Sequence, residues 1–390
     1  MCAMAKRPSK AAEPELKPDA RPADGPPPAC AVPFSAIIGQ DGAVQVLQNA
    51  LASQRVHHAW IFHGPRGVGK FTTALAFAGA LLDPDARADK SGRVELNPAG
   101  EVGRLLAAGA HPDLHVITKE LARFSDERTV RESKLITIPK DVVEKHLLIP
   151  ATLAPTMRTG SRASKVFVVD EAELLDRSPF NAPVQNSILK LLEEPPEGTV
   201  IVLVTDGEDR LLTTIRSRCQ RVTFRALDAR SLERWLAGSG LEVPAAQRAW
   251  LMGYADGSPG VLKEAVEHSL FAWHETLTPM LRAIEAGRFV LELGGSMATC
   301  ADSWAESWVE SHKNASKDAA NRDGAAKVLH LVGEHFRREL ASSRDAGPYL
   351  AAVDAVAQCE RHVDASVQMP LAMGNLAAQL SEIFALGAVR

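Results

Sequence analysis

Apolar residues recur with two alternating periods along residues 34–225. A short apolar run with the length of a buried strand occurs at 59–62, and further strands are suggested at 114–117, 165–169, 200–205 and 221–224. Between these runs, apolar residues recur at helical spacing, as in Val44, Leu47 and Leu51. Strands that alternate with helices predict a parallel α/β domain of three layers.

The strand pattern stops after Phe224. Three segments with helical apolar spacing follow, at 228–237, 244–254 and 260–269. They predict a small helical domain over residues 226–269. Residues 270–390 predict a second, all-helical domain, with a loop expected at 312–324.

Two segments depart from this organisation. Residues 1–33 are rich in Pro and Ala and have no periodic apolar pattern, so they cannot bury enough surface to offset their ordering entropy. We expect a disordered tail there. Residues 119–137 are highly charged and interrupt the α/β pattern. We expect a solvated insertion, and a partner-binding loop is the alternative.

Composition narrows the class of protein. The net charge of −4 gives no general attraction to nucleic acid, so any DNA contact would be local or shared with partners. The five cysteines are scattered without a C-x-x-C pair, which favours neither a zinc site nor a disulfide framework. No apolar run approaches the ~20 residues that span a membrane, and no signal peptide is apparent. We therefore expect a cytoplasmic protein without a membrane partner.

A glycine-rich turn follows the first predicted strand and precedes a predicted helix. It fits the phosphate-loop pattern G-x-x-x-x-G-K through Gly64, Gly67, Gly69 and Lys70. Glycines let backbone N–H groups surround phosphate oxygens, and the lysine adds a positive charge. The next position usually carries a hydroxyl that helps to hold Mg²⁺, but here it is Phe71. Thr72 comes one residue later, about 100° further around the helix.

An acidic pair follows a later predicted strand. Asp170 and Glu171 come directly after the apolar run 165–169, at the sheet edge where open α/β folds bind ligands. In a working site Asp170 would hold the Mg²⁺ shell and Glu171 would polarise the attacking water. Thr205 ends the next strand and could sense a γ-phosphate. We predict that these three residues and the phosphate loop share one site.

Ser217, Arg218 and Cys219 form the last candidate motif. A planar guanidinium can stabilise the charge that develops on a transferring phosphoryl group, including one bound by a neighbouring subunit. A surface salt bridge is the simpler interpretation of a lone arginine at this position.

These motifs together resemble the bacterial clamp-loader family of AAA+ proteins. The matching blocks lie at 34–40, 55–70, 169–173, 186–196, 214–220 and 257–260, with a looser match at 375–376. The resemblance implies an AAA+ phosphate-loop domain over 34–225, a lid domain over 226–269 and a collar domain for oligomerisation over 270–390. It also implies that Arg218 acts in trans on ATP bound by the adjacent subunit.

The departures from the family pattern indicate which member this chain resembles. The ATP-hydrolysing gamma/tau members have Ser or Thr at the position of Phe71 and an arginine sensor in the lid helix, and both are missing here. We therefore expect a delta-prime-like structural subunit. The resemblance implies gamma/tau and delta subunits as partners, with the sliding clamp and primed DNA reached through the assembled complex. The family's four-cysteine zinc module is absent from 83–110, so we predict no zinc.

Two alternatives remain open at the level of sequence. Lys70, Asp170 and Glu171 are present, so nucleotide binding and a gamma/tau-type ATPase are the first alternative, with Thr72 or water replacing the missing hydroxyl. An AAA+ protein of another process, such as helicase loading, is the second. Neither alternative implies polymerase chemistry, because no palm-like pair of aspartates is apparent.

Overall fold

The computed structural model describes residues 32–53, 56–88, 92–132, 136–157, 160–176, 181–312, 315–365 and 367–387. The tail expected at 1–33 lies outside the described residues except for its last two positions. Residues 133–135 of the charged insertion also lie outside them.

Five parallel strands form the central sheet, and two short strands form a separate antiparallel pair. In chain order the strands are β1 (Ala59–His63), β2 (Arg87–Ala88), β3 (Val94–Glu95), β4 (Leu114–Ile117), β5 (Lys165–Val169), β6 (Thr199–Thr205) and β7 (Gln220–Thr223). The central sheet has the order β4-β5-β6-β1-β7, and β2 pairs with β3. The predicted strands are confirmed to within one or two residues at each end, whereas the β2–β3 pair was not predicted.

Helices cover both faces of the sheet and form most of the described chain after β7. They are α1 (Asp41–Ala52), α2 (Lys70–Leu82), α3 (Glu101–Ala107), α4 (Arg128–Arg131), α5 (Lys140–Val143), α6 (Ile149–Thr152), α7 (Pro183–Glu193), α8 (Thr213–Arg216), α9 (Ala229–Ser239), α10 (Ala245–Tyr254), α11 (Pro259–Glu267), α12 (Phe271–Glu285), α13 (Leu293–Ser311), α14 (Lys317–Ser342), α15 (Gly347–Asp364) and α16 (Met369–Gly387).

Alternation along β1 shows how the three layers form. Trp60 and Phe62 belong to the core that includes α1 and α2, and the rings of Trp60 and Phe77 meet edge-on at 5.2 Å. Ala59 and Ile61 belong to a second core that includes residues of α5 and α7. Successive side chains of a strand point to opposite faces, so an all-apolar strand requires cover on both sides. The parallel, three-layer α/β fold expected from the sequence is confirmed.

The helical region follows the sheet as expected, with one correction. Helices α9–α11 form the small lid, and α12–α16 form the helical collar. The loop expected at 312–324 is wrong from residue 317 onward, because α14 begins at Lys317. Ser316 caps that helix by accepting the N–H of Ala319 at 3.3 Å. Gly324 was expected in the loop but lies inside α14. A Cβ at this position would be 2.7 Å from the Ala301 carbonyl oxygen of α13. Glycine therefore permits close helix packing there.

The charged insertion is partly packed rather than fully solvated. Ala122 and Ser125 are buried. The Ser125 hydroxyl donates to Asp141 at 2.6 Å, and Arg131 donates to the Ser125 carbonyl at 2.9 Å. The first bond connects the segment to α5, and the second lies within the segment. Within the described part of the chain, no helix is both long and apolar enough to cross a membrane.

Candidate functional site

The sheet order brings most of the predicted site residues to one edge. Strands β5, β6 and β1 are consecutive neighbours, and parallel strands have their carboxyl ends at the same edge. Asp170 follows β5, Thr205 ends β6 and Gly64 follows β1. The predicted phosphate loop, acidic pair and Thr205 therefore lie at one edge of the sheet.

The phosphate loop, residues 64–69, connects β1 directly to α2. Gly64 has φ 143° and Gly67 has φ 74°, a backbone region that side chains with a Cβ rarely adopt. A Cβ on Gly64 would lie 2.3 Å from the Phe224 carbonyl oxygen. The side-chain amide of Gln40 donates to the Val68 carbonyl at 3.1 Å. The loop is thus fixed against β7 and the start of α1.

Lys70 is engaged by the protein itself. Its side chain is only 4% exposed. The Nζ atom donates to the carbonyl oxygens of Gly64 at 2.8 Å and Pro65 at 2.5 Å, and to Asp206 Oδ1 at 2.6 Å. An ammonium group has three protons, so all of them have acceptors in this conformation. A phosphate would have to displace at least one of these partners.

The start of α2 offers no hydroxyl at the usual metal position. Phe71 is half-buried and packs against the apolar core. Thr72 is exposed on the helix, and Thr73 is buried with its hydroxyl donating to the Gly69 carbonyl at 2.9 Å. The predicted difficulty at Phe71 therefore persists in the folded chain, and neither threonine is placed where Phe71 stands.

The acidic pair adopts an unusual backbone conformation. Glu171 has φ 48°, in the left-handed region that non-glycine residues rarely adopt and that recurs at functional sites. Its carboxylate pairs with Lys119 at 2.6 Å. Burial, together with the nearby carboxylates of Glu171 and Asp206, raises the pKa of Asp170 to about 7. Asp170 therefore carries a proton in a large share of molecules near neutral pH.

Three residues of this edge were not predicted as site residues. Asp206 directly follows Thr205 and pairs with Lys70, and its place after a strand could have indicated it. Glu173 is buried, and burial raises its pKa despite a hydrogen bond with the Thr205 hydroxyl. Lys119 lies at the start of the charged insertion, which the sequence predicted to be solvated and not part of the site. Thr205 is itself buried and accepts the Gly207 N–H at 3.1 Å.

These residues do not fit a hydrolysable Mg²⁺–triphosphate in this conformation. Phe71 presents carbon where the phosphate-loop pattern has an oxygen, and the charge of Lys70 is already paired with Asp206. No group of three potential metal-ligating side chains occurs among the residues that the structure describes. We therefore derive no hydrolytic step at this edge.

Arg218 lies away from this edge, beside the carboxyl end of α7. Its Nη2 atom lies 2.5 Å from Glu193 Oε1, and its Nη1 atom donates to the Thr214 carbonyl at 2.9 Å. The side chain is 35% exposed. Burial raises the pKa of the adjacent Cys219 thiol to about 12, so this cysteine stays a thiol at neutral pH.

Strand register separates Arg218 from the phosphate loop of its own chain. Arg218 precedes β7, whose first residue, Gln220, lies beside Trp60 of β1. The phosphate loop begins four residues after Trp60, about 13 Å further along the strand direction at the usual rise of a strand. Arg218 is therefore at the opposite end of the sheet from Gly64, and the site in its own chain does not include it.

Comparison with known proteins agrees with this architecture. Residues 39–228 match the family model described as "DNA polymerase III, delta subunit". The delta′ subunit of Pseudomonas aeruginosa is 32% identical over 55% of this chain and 58% of its own length. The delta′ subunit of Bacillus subtilis is 28% identical over 50% of each chain. The tau subunit of Bacillus subtilis is 29% identical over 51% of this chain and 30% of its own length.

The matches therefore span only part of each relative, between 30% and 58% of its length. The match to the family model includes the phosphate loop, the acidic pair and the Ser-Arg-Cys segment, since all three lie within residues 39–228. The parallel sheet, the helical lid and the collar are the architecture that the resemblance implied. Over residues 39–228 the chain is therefore similar to DNA polymerase III subunits, with delta′ and tau subunits among its relatives.

Proposed function

We propose that this chain is a delta-prime-like subunit that supports the clamp-loader ring and donates Arg218 to the ATP site of a neighbouring subunit. One observation carries the proposal. Arg218 is partly exposed at the end of the sheet opposite its own phosphate loop, so its guanidinium is available to another chain and not to its own site.

The chemistry of arginine suits this role. A guanidinium is planar, always charged and presents several N–H donors, which match the oxygens of a transferring phosphoryl group. Arginines supplied in trans contribute factors of about 10³ to 10⁵ to phosphoryl transfer in other systems. The proposed partners are gamma/tau and delta subunits, with the sliding clamp and primed DNA reached through the assembled complex. The proposed domains are 34–225, 226–269 and the collar, 270–390, for oligomerisation.

The decisive experiment reconstitutes the loader from this chain and the gamma/tau and delta subunits of the same organism. ATP hydrolysis is measured with clamp and primed DNA for the native chain, Arg218→Ala and Arg218→Lys. We expect both variants to lose at least about tenfold, because lysine keeps the charge but not the planar fork. Unchanged hydrolysis with Arg218→Ala would refute the donation in trans.

Arg221→Ala is the matched control. Arg221 lies three residues later on the edge strand β7, with 56% of its side chain exposed, and pairs only loosely with Glu208 at 3.5 Å. We expect this variant to assemble and hydrolyse ATP like the native chain. Equal losses in the Arg218 and Arg221 variants would indicate a general effect of positive charge. Size-exclusion chromatography of each complex separates a loss of assembly from a loss of hydrolysis.

A gamma/tau-type ATPase is the second candidate function. Lys70, Asp170 and Glu171 are retained, and the tau subunit of Bacillus subtilis is about as similar as its delta′ subunit. Multiple-turnover hydrolysis by the isolated chain, abolished by Lys70→Ala, would support this candidate. We expect no such turnover, because Phe71 provides no metal ligand and Lys70 is paired within the fold.

A further inference from the structure

The phosphate loop packs directly on the lid. The Gly260 N–H, in the first turn of α11, donates to the Gly67 carbonyl at 2.9 Å. The Ser258 hydroxyl donates to the Arg66 carbonyl at 2.8 Å. A Cβ on Gly260 would lie 2.7 Å from the Gly67 Cα, so the two backbones meet without a side chain between them.

Arg66 extends this contact to the collar. Its Nη2 atom lies 3.5 Å from Glu264 Oε1 of α11, and its Nη1 atom lies 3.2 Å from Asp323 Oδ1 of α14. Lys327 of α14 completes the arrangement, since its Nζ lies 3.0 Å from the same Glu264 oxygen and 3.1 Å from the same Asp323 oxygen. The four side chains, which we call the charge ring, alternate in sign and come from all three domains.

The charge ring is anchored by a buried cation. The Lys327 side chain is 6% exposed, and its Nζ lies 4.4 Å from the centroid of the Trp304 ring. A buried ammonium requires opposite charges to offset its desolvation. Burial alone would raise the pKa of Asp323, but Lys327 and Arg66 outweigh it and lower this pKa. Loss of either carboxylate would therefore leave Lys327 short of a partner.

We propose that the phosphate loop of this chain is an interdomain joint, in which the charge ring and the Gly67–Gly260 contact fasten the lid and the collar to the α/β domain as one rigid body. The lid cannot separate from the loop without breaking a backbone hydrogen bond and the pairs of Arg66. The residues that would surround a phosphate in the family pattern here hold the chain's own domains together. This inference does not depend on the role of Arg218.

Hydrogen exchange of the full chain, followed by mass spectrometry, tests the joint. Glu264→Gln is compared with the control Glu267→Gln, which makes the same change three residues later on α11. Glu267 pairs with Lys263, and both of these side chains are more than half exposed. Loss of a hydrogen bond to a charged group changes the equilibrium constant for local opening by roughly tenfold to hundredfold. We expect Glu264→Gln to accelerate exchange by about tenfold or more in peptides spanning 64–72, 258–267 and 320–330.

The pattern across the three peptides decides the outcome. Glu267→Gln should leave exchange in 64–72 and 320–330 as in the native chain. Acceleration confined to α11 in both variants would overturn the joint, since the loop and α14 would then open independently of it. Arg66→Ala provides a second test if Glu264→Gln unfolds the chain, because the Arg66 side chain is 59% exposed. Native exchange at 258–267 and 320–330 in Arg66→Ala would also overturn the joint.

Discussion

Arg218 and Glu193 form an ion pair that joins the Ser-Arg-Cys segment to the carboxyl end of α7. The Nη2–Oε1 distance is 2.5 Å, and both side chains are partly exposed. Glu193 is the last residue of α7 and belongs to the block at 186–196 that resembles the clamp-loader family. The structure thus connects two motifs that lie 25 positions apart. The ion pair with Glu193 also orients the guanidinium of Arg218.

Glu193→Gln is predicted to lower ATP hydrolysis by the reconstituted loader by a few-fold, less than Arg218→Ala. The glutamine keeps the size of the side chain but removes the charge that holds Arg218. Stability should change by less than about 1 kcal/mol, as expected for an exposed pair. Glu194→Gln, at the neighbouring exposed residue, is the control and should behave like the native chain. Hydrolysis that falls equally in both variants would remove the specific role of Glu193.

Asp206→Asn is predicted to increase the affinity of the isolated chain for inorganic triphosphate by about tenfold or more, since hydrogen bonds between charged groups contribute roughly 1.5–3 kcal/mol. The substitution removes the carboxylate that occupies Lys70 Nζ and also a negative charge close to the loop. Isothermal titration calorimetry measures the change. Asp209→Asn, an exposed neighbour, is the control. Equal affinities in the native chain and Asp206→Asn would show that Asp206 does not compete with phosphate.

Phe71→Thr is predicted not to restore ATP hydrolysis in the isolated chain. The substitution supplies the missing hydroxyl, but Lys70 keeps its three protein acceptors and the lid stays against the loop. Loss of the half-buried ring should also lower the free energy of unfolding by about 1–3 kcal/mol. A coupled assay for released phosphate and chemical denaturation measure both effects. Multiple turnovers by this single variant would show that the hydroxyl alone was limiting.

Most of the fold could be predicted because its signals are local. Strands β1, β5 and β6 are buried along nearly their whole length, so each appears as a short apolar run. Helix α2 ends at Leu82 before Asp83 and Pro84, as the sequence indicates. Local signals failed at α14. Gly324 and the polar residues before it are typical of a loop, but a close approach to Ala301 of α13 explains that glycine. Only the tertiary packing decides between the two interpretations.

The candidate site was predictable only in part. The phosphate loop, the acidic pair and Thr205 follow strands, so the sequence order places them at one edge. The position of Asp206 after a strand could have indicated it, but its pairing with Lys70, a residue 136 positions earlier, could not be predicted. The partners of Arg66 were equally hidden, since Asp323 is 257 positions away. Ion pairs between distant segments leave no periodic or spacing signal in a single sequence.

Asp170→Asn is predicted to make the metal-free chain more stable at pH 8 than the native chain, but not at pH 4. The folded-state pKa of Asp170 is raised to about 7, whereas an unfolded aspartate has a pKa of about 3.9. The protonated form therefore stabilises the fold below about pH 4, and this contribution is lost as the pH rises through 7. Asparagine avoids the buried charge. We expect a gain of about 1 kcal/mol or more at pH 8.

Thermal or chemical denaturation at several pH values measures this difference. Asp209→Asn, which removes an exposed carboxylate near the same edge, should show no comparable pH dependence relative to the native chain. A stability difference for Asp170→Asn that is constant from pH 4 to pH 8 would show that Asp170 titrates as an ordinary aspartate.

Gly260→Ala is predicted to destabilise the chain, although alanine usually favours a helix. The added Cβ would lie 2.7 Å from the Gly67 Cα and 3.1 Å from its carbonyl oxygen, so the loop and α11 must separate. Overpacking of this kind costs about 1–3 kcal/mol. Gly238→Ala is the matched control, because Gly238 lies in helix α9 with no atom within 4 Å of the added Cβ. There the substitution should stabilise by about 0.5–1 kcal/mol.

If Gly260 and Gly67 are in close contact, urea denaturation should show a lower free energy of unfolding for Gly260→Ala and a higher one for Gly238→Ala. The change in the free energy of unfolding for Gly238→Ala reports helix propensity alone. The change for Gly260→Ala reports helix propensity minus the cost of separating the lid from the loop. A stabilised Gly260→Ala would mean that α11 and the loop part easily. In that case the lid would be free to move, and the rigid structural subunit would no longer follow from this contact.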